Sequence, residues 1–195
     1  MKINIGKTEL IHFVGIGGIG MSGLALIMDS LGFKIQGSDK SDNKNLNLLR
    51  KRKIPIYLNH NKQNIKNCTV LVVSSAIKKS NPEYRHAKKL NLPIYKRGEL
   101  LGHIVSLMKN IVVTGSHGKT TTTSILSNIM NYAKLDPTII NGGVLNSIGS
   151  SAKLGKSDWS LVESDESDGS FLQIPFNYSI ITNIDNEHLD YYRTM

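Results

Sequence analysis

The stretch at residues 113–122, Val-Thr-Gly-Ser-His-Gly-Lys-Thr-Thr-Thr, constrains the fold of this chain more than any other. It follows a short apolar run and leads into a helical pattern that contains no glycine or proline. A strand that breaks into a glycine-rich turn and then a helix directs backbone N–H groups and the helix dipole toward one point, which suits a polyphosphate. Lys119 adds a mobile positive charge for the β and γ phosphates, and Thr120 offers a hydroxyl for Mg²⁺. The stretch therefore predicts a nucleoside triphosphate site.

The spacing of this stretch departs from the common phosphate-loop pattern. That pattern requires glycine at position 113, where this chain has Val113, and an additional glycine stands at Gly115 instead. The departure indicates a specific variant of the motif, which narrows the families to which the chain can belong.

Length and composition limit the class of protein. With 195 residues, of which 39% are apolar, the chain can form one large domain or two small ones. Its single cysteine, Cys68, excludes an internal disulfide framework, and the apolar neighbours predict a buried, unreactive thiol in a reducing compartment. No run reaches about 18 apolar residues, and the mostly polar first ten residues are unlike a signal peptide. We therefore expect a cytoplasmic protein without a membrane partner.

The formal net charge of +9 raises the question of nucleic acid binding. The densest basic run, Arg-Lys-Arg-Lys at residues 50–53, is of a kind that tracks phosphates. The other lysines are spread over many segments, so we interpret this run as a solvated helix end and expect no nucleic acid partner. The sequence does not indicate an oligomeric state.

A second glycine-rich motif lies near the N-terminus. The apolar run at residues 10–14 ends in Gly-Ile-Gly-Gly-Ile-Gly at residues 15–20, and a helical stretch follows at residues 21–31. This satisfies the G-x-G-x-x-G pattern with a strand before it and a helix after it. A second strand at residues 33–37 leads to Asp39, and an acidic residue at that point binds a ribose hydroxyl in dinucleotide enzymes. The motif predicts a nucleotide site in which Asp39 contacts a nucleoside.

Strands and helices alternate through the rest of the first half. Strand-like runs lie at residues 54–58, 69–73 and 93–95, and helical runs lie at residues 44–53, 82–90 and 98–108. This alternation predicts an α/β fold with a parallel sheet and helices on both faces. Ser74 and Ser75 follow the carboxyl end of a strand, so they are either ligand contacts or part of a plain turn. A boundary near residue 108 gives predicted domains at residues 1–107 and 108–195.

The second half continues the pattern and adds an acidic run. A helix is predicted at residues 120–132, a strand at 137–141, a flexible loop at 142–151, and further strands at 159–162 and 178–182. The run Glu-Ser-Asp-Glu-Ser-Asp at residues 163–168 places four carboxylates after a buried strand. Such oxygen ligands can hold Mg²⁺, Glu163 first among them, and the alternative is a solvated acidic loop. His188 follows the last strand, where residue type alone predicts a surface position, and His12, His60, His86 and His103 have no partner that the sequence identifies.

Together these segments resemble the Mur ligase family of peptidoglycan synthesis over essentially the whole chain. The resemblance is carried by motifs at residues 12–22, 37–39, 74–77, 81–83, 114–122, 163–168 and 182–184, with His188 after the last of them. The atypical phosphate loop is the form found in this family. The resemblance implies a Rossmann-like domain that binds a UDP-sugar, followed by a truncated phosphate-loop ATPase domain of the α/β class.

The resemblance also implies which residues bind each ligand. Gly15, Gly17, Gly18 and Gly20 would approach the diphosphate of the sugar nucleotide, Ser38 and Asp39 the uridine, and Ser74 and Ser75 would line the same cleft. ATP would be held by Gly115, Ser116, His117, Gly118, Lys119, Thr120 and Thr121. Thr120, Glu163 and His188 would bind Mg²⁺, and Lys119, Glu163 and His188 would be the catalytic residues. His117 would lie close enough to the loop to contact an acyl phosphate.

The implied reaction joins L-alanine to the carboxylate of UDP-N-acetylmuramate. ATP first phosphorylates the carboxylate, and the amine of L-alanine then attacks the acyl phosphate, from which phosphate leaves. The protein would catalyse these steps mostly by positioning the reactants and by neutralising charge. Family members continue beyond the His188 motif into a third domain, so we expect an N-terminal fragment that binds the sugar nucleotide without turnover. The alternatives are a murein-recycling ligase that adds a peptide to UDP-N-acetylmuramate, a non-catalytic nucleotide-binding protein, and an NAD-dependent oxidoreductase.

Overall fold

The computed structural model describes residues 5–145, 150–164 and 174–185. The chain forms two compact units, residues 1–100 and 101–195, and both have an α/β architecture. The division falls within helix α4 (Arg97–Ser106). The predicted α/β fold with a parallel sheet in the first half is confirmed, whereas the domain boundary at residues 107 and 108 stays a prediction.

The first unit alternates strands with helices. Its elements are β1 (Leu10–Val14), α1 (Ile19–Ser30), β2 (Lys34–Ser38), α2 (Lys44–Lys51), β3 (Ile56–Tyr57), a short 3-10 helix (Lys62–Ile65), β4 (Val70–Val73), α3 (Pro82–Lys89) and β5 (Ile94–Lys96). The strands form a parallel sheet in the order β3-β2-β1-β4-β5. The strand order changes direction between β1 and β4, and open α/β sheets bind ligands beyond the carboxyl ends of the strands at such a point.

Strands β1 and β4, which flank the point where the strand order changes direction, are buried. All four residues of β4 are buried, and in β1 only Leu10 is partly exposed, as expected for a parallel sheet that helices cover on both faces. Gly37 in β2 permits a close approach, because a side chain there would collide with Ile16 and with the carbonyl oxygen of Phe13. The loop that follows β1 therefore packs directly against β2.

Local sequence explains how two of the helices begin. Asn43 precedes α2 and Asn81 precedes α3, and each side chain accepts hydrogen bonds from two backbone N–H groups of the first helical turn. Pro82 stands at the start of α3, where a backbone N–H group would have no acceptor within the helix, so proline loses no hydrogen bond there. Both helices are thus started by side chains that the sequence shows directly.

Two predictions from composition are confirmed. The basic run ends α2, where Arg50 forms an ion pair with Asp42 at 2.8 Å and Arg52 forms one with Asp29 at 3.0 Å. Cys68 is buried, and its burial, together with the nearby charge of Glu83, raises the pKa of the thiol to about 11. The thiol is therefore protonated at neutral pH, as expected for an unreactive core residue.

The second unit contains the phosphate loop. After α4 its elements are β6 (Lys109–Thr114), α5 (Lys119–Tyr132), β7 (Thr138–Leu145), β8 (Ser150–Lys153), β9 (Trp159–Glu163) and β10 (Tyr178–Ile181). The strands form a second sheet in the order β10-β6-β9-β7-β8. β6 lies between β10 and β9 and is parallel to both, so the loops that follow these three strands leave the same edge of the sheet.

The flexible loop predicted at residues 142–151 is wrong in part. Strand β7 continues to Leu145, and β8 begins at Ser150 and pairs with β7 in the antiparallel direction. Two glycines and several small polar residues favour a loop locally, but backbone pairing with a neighbouring strand outweighs such weak local preferences.

Within the described ranges, no helix combines the length and the apolar character that crossing a lipid bilayer requires.

Candidate nucleotide-binding sites

The loop between β6 and α5 requires glycine at two positions. Gly115 has φ +127° and Gly118 has φ +79°, which is backbone geometry that other residues rarely adopt. A side chain at Gly115 would also collide with the Thr182 hydroxyl and the backbone of Asn183. Glycine at 115 is therefore required by the close approach of the segment that follows β10.

That segment, residues 182–185, binds the phosphate loop through a set of hydrogen bonds. The backbone N–H of His117 donates to Asn183 Oδ1 at 2.8 Å, and the N–H of Ser116 donates to the Asn183 carbonyl at 3.2 Å. The Thr182 hydroxyl donates to the His117 carbonyl at 2.6 Å, and the N–H of Asp185 donates to Ser116 Oγ at 3.0 Å. The sequence showed a motif here but gave no sign that it holds the loop.

Lys119, the first residue of α5, turns its side chain back toward the loop. Its Nζ donates to the carbonyl oxygen of Gly115 at 2.6 Å and to that of Ser116 at 3.0 Å. The ammonium therefore lies at the loop itself, beside the N-terminus of α5, where backbone N–H groups and the helix dipole favour an anion.

Thr120 and Glu163, which the sequence predicted as magnesium ligands, lie together. The Thr120 hydroxyl donates to Glu163 Oε1 at 2.8 Å, and Glu163 ends β9, paired with Val113 of β6. The second carboxylate oxygen, Glu163 Oε2, is buried and has no hydrogen-bond partner among the described residues. A buried carboxylate oxygen without a partner beside a hydroxyl fits a hard divalent cation, which takes oxygen ligands.

The other predicted metal ligands cannot be placed relative to Thr120 and Glu163. His188 and the carboxylates Asp165, Glu166 and Asp168 lie outside the described residues, so the role predicted for His188 stays a prediction. Among residues 5–145, 150–164 and 174–185, no three histidine, cysteine, aspartate or glutamate side chains come close enough to form a metal site.

In the first unit, the loop after β1 is held by the end of β2. Gly15 has φ +80°, and the N–H groups of Gly15 and Ile16 both donate to the carbonyl of Ser38, at 2.8 and 3.0 Å. Asp39 Oδ2 accepts the N–H of Gly17 at 2.8 Å. A side chain at Gly17 would collide with Asp39, so this glycine is needed for the contact. Asp39, the predicted nucleoside ligand, thus also fixes the glycine-rich loop.

The helix that follows this loop begins without a capping side chain. Gly18 is its N-cap residue, and the first turn of α1 contains no acidic residue. The Arg97 guanidinium lies against Gly20 in that first turn, 2.9 Å from the position that a Cβ atom would occupy. A helix N-terminus with a neighbouring guanidinium can bind an anion. Sequence reasoning missed Arg97, which is distant in the chain.

The three predicted serine contacts differ in position. Ser38 is fully buried, and its hydroxyl donates to Glu83 at 2.6 Å. Ser74 is partly buried beside Gly15 and accepts the N–H of Ala76 within a turn, whereas Ser75 is exposed. The structure thus directs the Ser38 side chain into the unit, and contact between these serines and a ligand stays a prediction.

A cleft of about 510 Å³ opens in the first unit between the loops that follow β2, β3 and β4. Its lining residues include Lys40, His60, Ile77, Lys78 and Asn81. Two lysines at its edge attract an anionic ligand, and the amide and imidazole groups provide hydrogen-bonding partners.

Beneath this cleft lies a buried polar cluster that the sequence did not reveal. It contains His12, Gln36, Ser38, His60, Asn64 and Glu83. Burial raises the pKa of the Glu83 carboxyl, but hydrogen bonds from His12, Ser38 and Asn64 outweigh that effect, so its pKa lies below the ordinary value. The Asn81-Pro82-Glu83 motif was part of the family resemblance, but it did not show that Glu83 contacts His12, Ser38 and His60.

Comparison with known families covers both units. Residues 10–109 match the model of the Mur ligase family, catalytic domain, and residues 113–195 match the Mur ligase middle domain. The chain belongs to the Mur ligase family. The resemblance stated from the sequence is thus confirmed.

Three proteins illustrate the similarity. The chain is 66% identical to the UDP-N-acetylmuramate–L-alanine ligase of Pelagibacter ubique over 195 residues. The match covers all of this chain and 42% of the length of that ligase. The crystal structure of UDP-N-acetylmuramate–alanine ligase from Thermotoga maritima matches 96% of the chain and 44% of its own length, with a TM-score of 0.85 and 33% identity. The UDP-N-acetylmuramate:L-alanyl-γ-D-glutamyl-meso-diaminopimelate ligase from Neisseria meningitides matches 94% of the chain and 63% of its own length, with a TM-score of 0.83 and 27% identity. The chain thus spans less than half the length of the Pelagibacter relative.

Proposed function

We propose that this chain forms the sugar-nucleotide-binding and ATP-binding parts of a ligase that joins L-alanine to the carboxylate of UDP-N-acetylmuramate. The observation that carries the proposal is the 66% identity, along the whole chain, to a relative with that name. The geometry of the two glycine-rich loops supports it, because each loop presents the groups that one of the two nucleotides needs.

The first unit would bind the UDP part of the sugar nucleotide. The uncapped start of α1, with the backbone of Gly15, Gly17, Gly18 and Gly20, would accept the diphosphate. Arg97 would add positive charge at the same place, since its guanidinium lies against Gly20. Asp39 would accept a ribose hydroxyl with its carboxylate, as an acidic residue at this position does in related folds.

The second unit would bind ATP at residues 115–121. The N-terminus of α5 would face the phosphates, and the Lys119 ammonium would move from the carbonyls of Gly115 and Ser116 to the phosphate oxygens. Asn183 would keep the loop in place from the other side through its bonds to residues 116 and 117. His117, whose imidazole is exposed, would be able to contact the acyl phosphate.

Thr120 and Glu163 would hold Mg²⁺, and His188 would be a further ligand. The buried Glu163 Oε2 supports this assignment, because none of the described residues donates a hydrogen bond to it and a cation could take that position. Bound Mg²⁺ would neutralise charge on the phosphates during transfer.

In the proposed reaction, the γ-phosphoryl group of ATP moves to the muramate carboxylate, which gives an acyl phosphate and ADP. The amine of L-alanine then attacks the acyl carbon, and phosphate leaves as the amide forms. Lys119 would stabilise the charge that develops on the transferred group, while the loop fixes its position. The residues present supply positioning and electrostatics, which is what phosphoryl transfer requires.

A ligase that adds a peptide to the same sugar nucleotide is the main alternative function. The structural similarity to the Neisseria ligase has nearly the same TM-score as that to the Thermotoga enzyme. The 66% identity to an alanine ligase, against 27% to the peptide ligase, favours alanine. Mass spectrometry of the product formed by the complete protein, supplied with both alanine and the tripeptide, separates the two.

Binding measurements test the ligand assignment. We expect calorimetric titration of the chain to show saturable binding of UDP-N-acetylmuramate, and separately of ATP with Mg²⁺. NAD⁺ is the control ligand, since the glycine-rich loop of the first unit also suits a dinucleotide. Saturable binding of NAD⁺ without binding of the UDP-sugar would overturn the proposal and favour an oxidoreductase.

A chimaera tests the reaction. The chain would replace the matching segment of the Pelagibacter ligase, which then supplies the rest of the protein. We expect ADP release that depends on both UDP-N-acetylmuramate and L-alanine, and its loss in the variant Lys119→Met. Lys156→Met, an exposed lysine of the same unit, is the control. Unchanged ADP release in Lys119→Met would contradict the role of this loop.

A further inference from the structure

The buried polar cluster of the first unit contains three ionisable side chains that the proposed reaction does not use. His12 comes from β1, Glu83 from α3, and His60 from the segment between β3 and the 3-10 helix. Their side chains are 0%, 0% and 5% exposed. Burial of three such groups is costly unless each has a definite hydrogen-bonding role.

The hydrogen bonds of Gln36 assign the proton on His12. Gln36 Nε2 donates to the carbonyl of Asn64 at 2.8 Å, so the amide nitrogen is the atom that lies 3.0 Å from His12 Nδ1. An amide nitrogen only donates, so His12 Nδ1 is an acceptor and the ring proton is on Nε2. That Nε2 lies 3.4 Å from Ser38 Oγ and 3.6 Å from Glu83 Oε2. His12 is therefore a neutral ring that directs its N–H toward the carboxylate.

The same reasoning assigns the proton on His60. Ser38 donates its single hydroxyl proton to Glu83 Oε2 at 2.6 Å. His60 Nδ1 lies 3.0 Å from Ser38 Oγ and 3.2 Å from Glu83 Oε2, and both of these atoms can only accept from it. His60 therefore carries its proton on Nδ1, and in the neutral ring Nε2 has a lone pair.

His60 also lines the cleft of the first unit, and its side chain is 5% exposed. Because Nδ1 contacts the buried cluster, Nε2 lies on the other edge of the ring, and it has no hydrogen-bond partner in the part of the chain that the structure describes. The cleft adjoins the glycine-rich loop, because Ile77 lines the cleft and also lies 3.6 Å from the position of a Cβ on Gly15. A nucleotide with its diphosphate on that loop can extend its base into the cleft.

We propose that Glu83 is a positioning residue for base selection: it holds His60 in the Nδ1–H tautomer, so that Nε2 accepts a hydrogen bond from the N3–H of uracil. The inference rests on the proposed binding of UDP in the first unit. Uracil carries a hydrogen on N3, whereas cytosine has a lone pair there. The cleft therefore favours UDP over CDP, since a cytosine base would set two lone pairs against each other.

Titration of the chain with UDP and with CDP tests this role. In the unmodified chain we expect UDP to bind at least about tenfold more tightly than CDP. Glu83→Gln keeps the side-chain shape but brings an N–H₂ group that can donate to His60 Nδ1 and reverse the tautomer. We expect the UDP affinity of this variant to fall about tenfold and the ratio of the two dissociation constants to approach one. Glu99→Gln, the same change at an exposed site, should leave both affinities unchanged.

The ratio separates positioning from a general structural role, because simple loss of structure lowers both affinities together. A direct measurement covers the case in which Glu83→Gln does not fold. Long-range ¹⁵N–¹H spectra of the unmodified chain, labelled on histidine and assigned with His60→Ala, report which ring nitrogen carries the proton. We expect Nδ1–H for His60, and Nε2–H would overturn the proposal.

The outcomes also distinguish this inference from the proposed function. If the unmodified chain prefers UDP and Glu83→Gln keeps the same preference, the positioning role is overturned while UDP binding stands. If the unmodified chain binds UDP and CDP equally, base selection by His60 is overturned alone. If it binds neither nucleotide, both the proposed binding function and this inference are overturned.

Discussion

The two glycine-rich loops share a strand–loop–helix geometry but are anchored by side chains of opposite charge. In the first unit, the carboxylate of Asp39 accepts the N–H of Gly17. In the second unit, the ammonium of Lys119 donates to the carbonyls of Gly115 and Ser116, and the neutral amide of Asn183 accepts the N–H of His117. A carboxylate disfavours additional phosphate, whereas an ammonium attracts it. This difference in charge agrees with the proposed assignment of the sugar nucleotide to the first loop, where Arg97 adds a positive charge, and of ATP to the second.

The largest effect is expected from Gly115→Ala in the second loop. The residue has φ +127°, and a Cβ would collide with Thr182 and Asn183, so we expect a loss of about 3 kcal/mol in unfolding free energy and loss of ATP binding. Gly118→Ala is the matched control, because its φ is +79° but no atom of the described residues lies within 4 Å of a Cβ there, and it should cost about 1 kcal/mol. Urea denaturation and ATP titration measure both. Equal costs would show that the segment after β10 does not restrict the loop.

Lys119→Met tests whether charge separates the two loops. We expect ATP affinity to fall about 10- to 100-fold, since a charge-assisted hydrogen bond contributes about 1.5–3 kcal/mol. The affinity for UDP-N-acetylmuramate should not change, because that ligand is assigned to the first unit. Calorimetry with each nucleotide, with Lys156→Met as control, measures the difference. Weaker binding of both nucleotides would contradict the conclusion that the charge of Lys119 acts on the second loop alone.

Glu163→Gln sharpens the assignment of the second loop to a metal-bound triphosphate. We expect about tenfold weaker binding of ATP in the presence of Mg²⁺, because the amide is a poorer ligand than the carboxylate. Without nucleotide, stability should stay equal or rise by up to about 1 kcal/mol, since the buried Glu163 Oε2 has no hydrogen-bond partner among the described residues. Asp158→Asn is the control for both measurements, because Asp158 is exposed and precedes β9, at the opposite end of that strand from Glu163. A marked loss of stability would contradict the view that Glu163 is kept for binding.

The smallest effect concerns the pH dependence of the first unit. The pKa of Glu83 in the folded chain lies below the ordinary value of 4.5, so the folded state binds fewer protons than the unfolded state in this range. The contribution of Glu83 to stability is therefore present above pH 4.5 and is lost as the pH falls through its folded pKa. Denaturation at a series of pH values should show a steeper acid loss for the native chain than for Glu83→Gln. Glu99→Gln should follow the native profile, and identical profiles for all three would count against an ionised Glu83.

Most of the architecture was predictable because its signals are local. The apolar runs of β1, β4 and β9 and the glycine-rich loops after β1 and β6 are visible in short windows of sequence. Thr120 and Glu163 were both predicted as Mg²⁺ ligands, but their direct contact follows from the pairing of β6 with β9, which the sequence did not show. The exception was the loop at residues 142–151, where antiparallel pairing of β7 with β8 overrides the local glycine signal.

The sequence alone therefore established the family, the α/β class and the residues of both loops, because strand, turn and helix preferences act over a few neighbouring residues. Only the folded chain shows that Asn183 holds His117 from 66 positions away, and that Glu83 meets Ser38 from 45 positions away. Those contacts form because parallel strands bring the ends of distant segments to one edge of a sheet. Neither residue carries a local pattern that names its partner, so the anchoring of the loops and the protons of the buried cluster follow from tertiary structure.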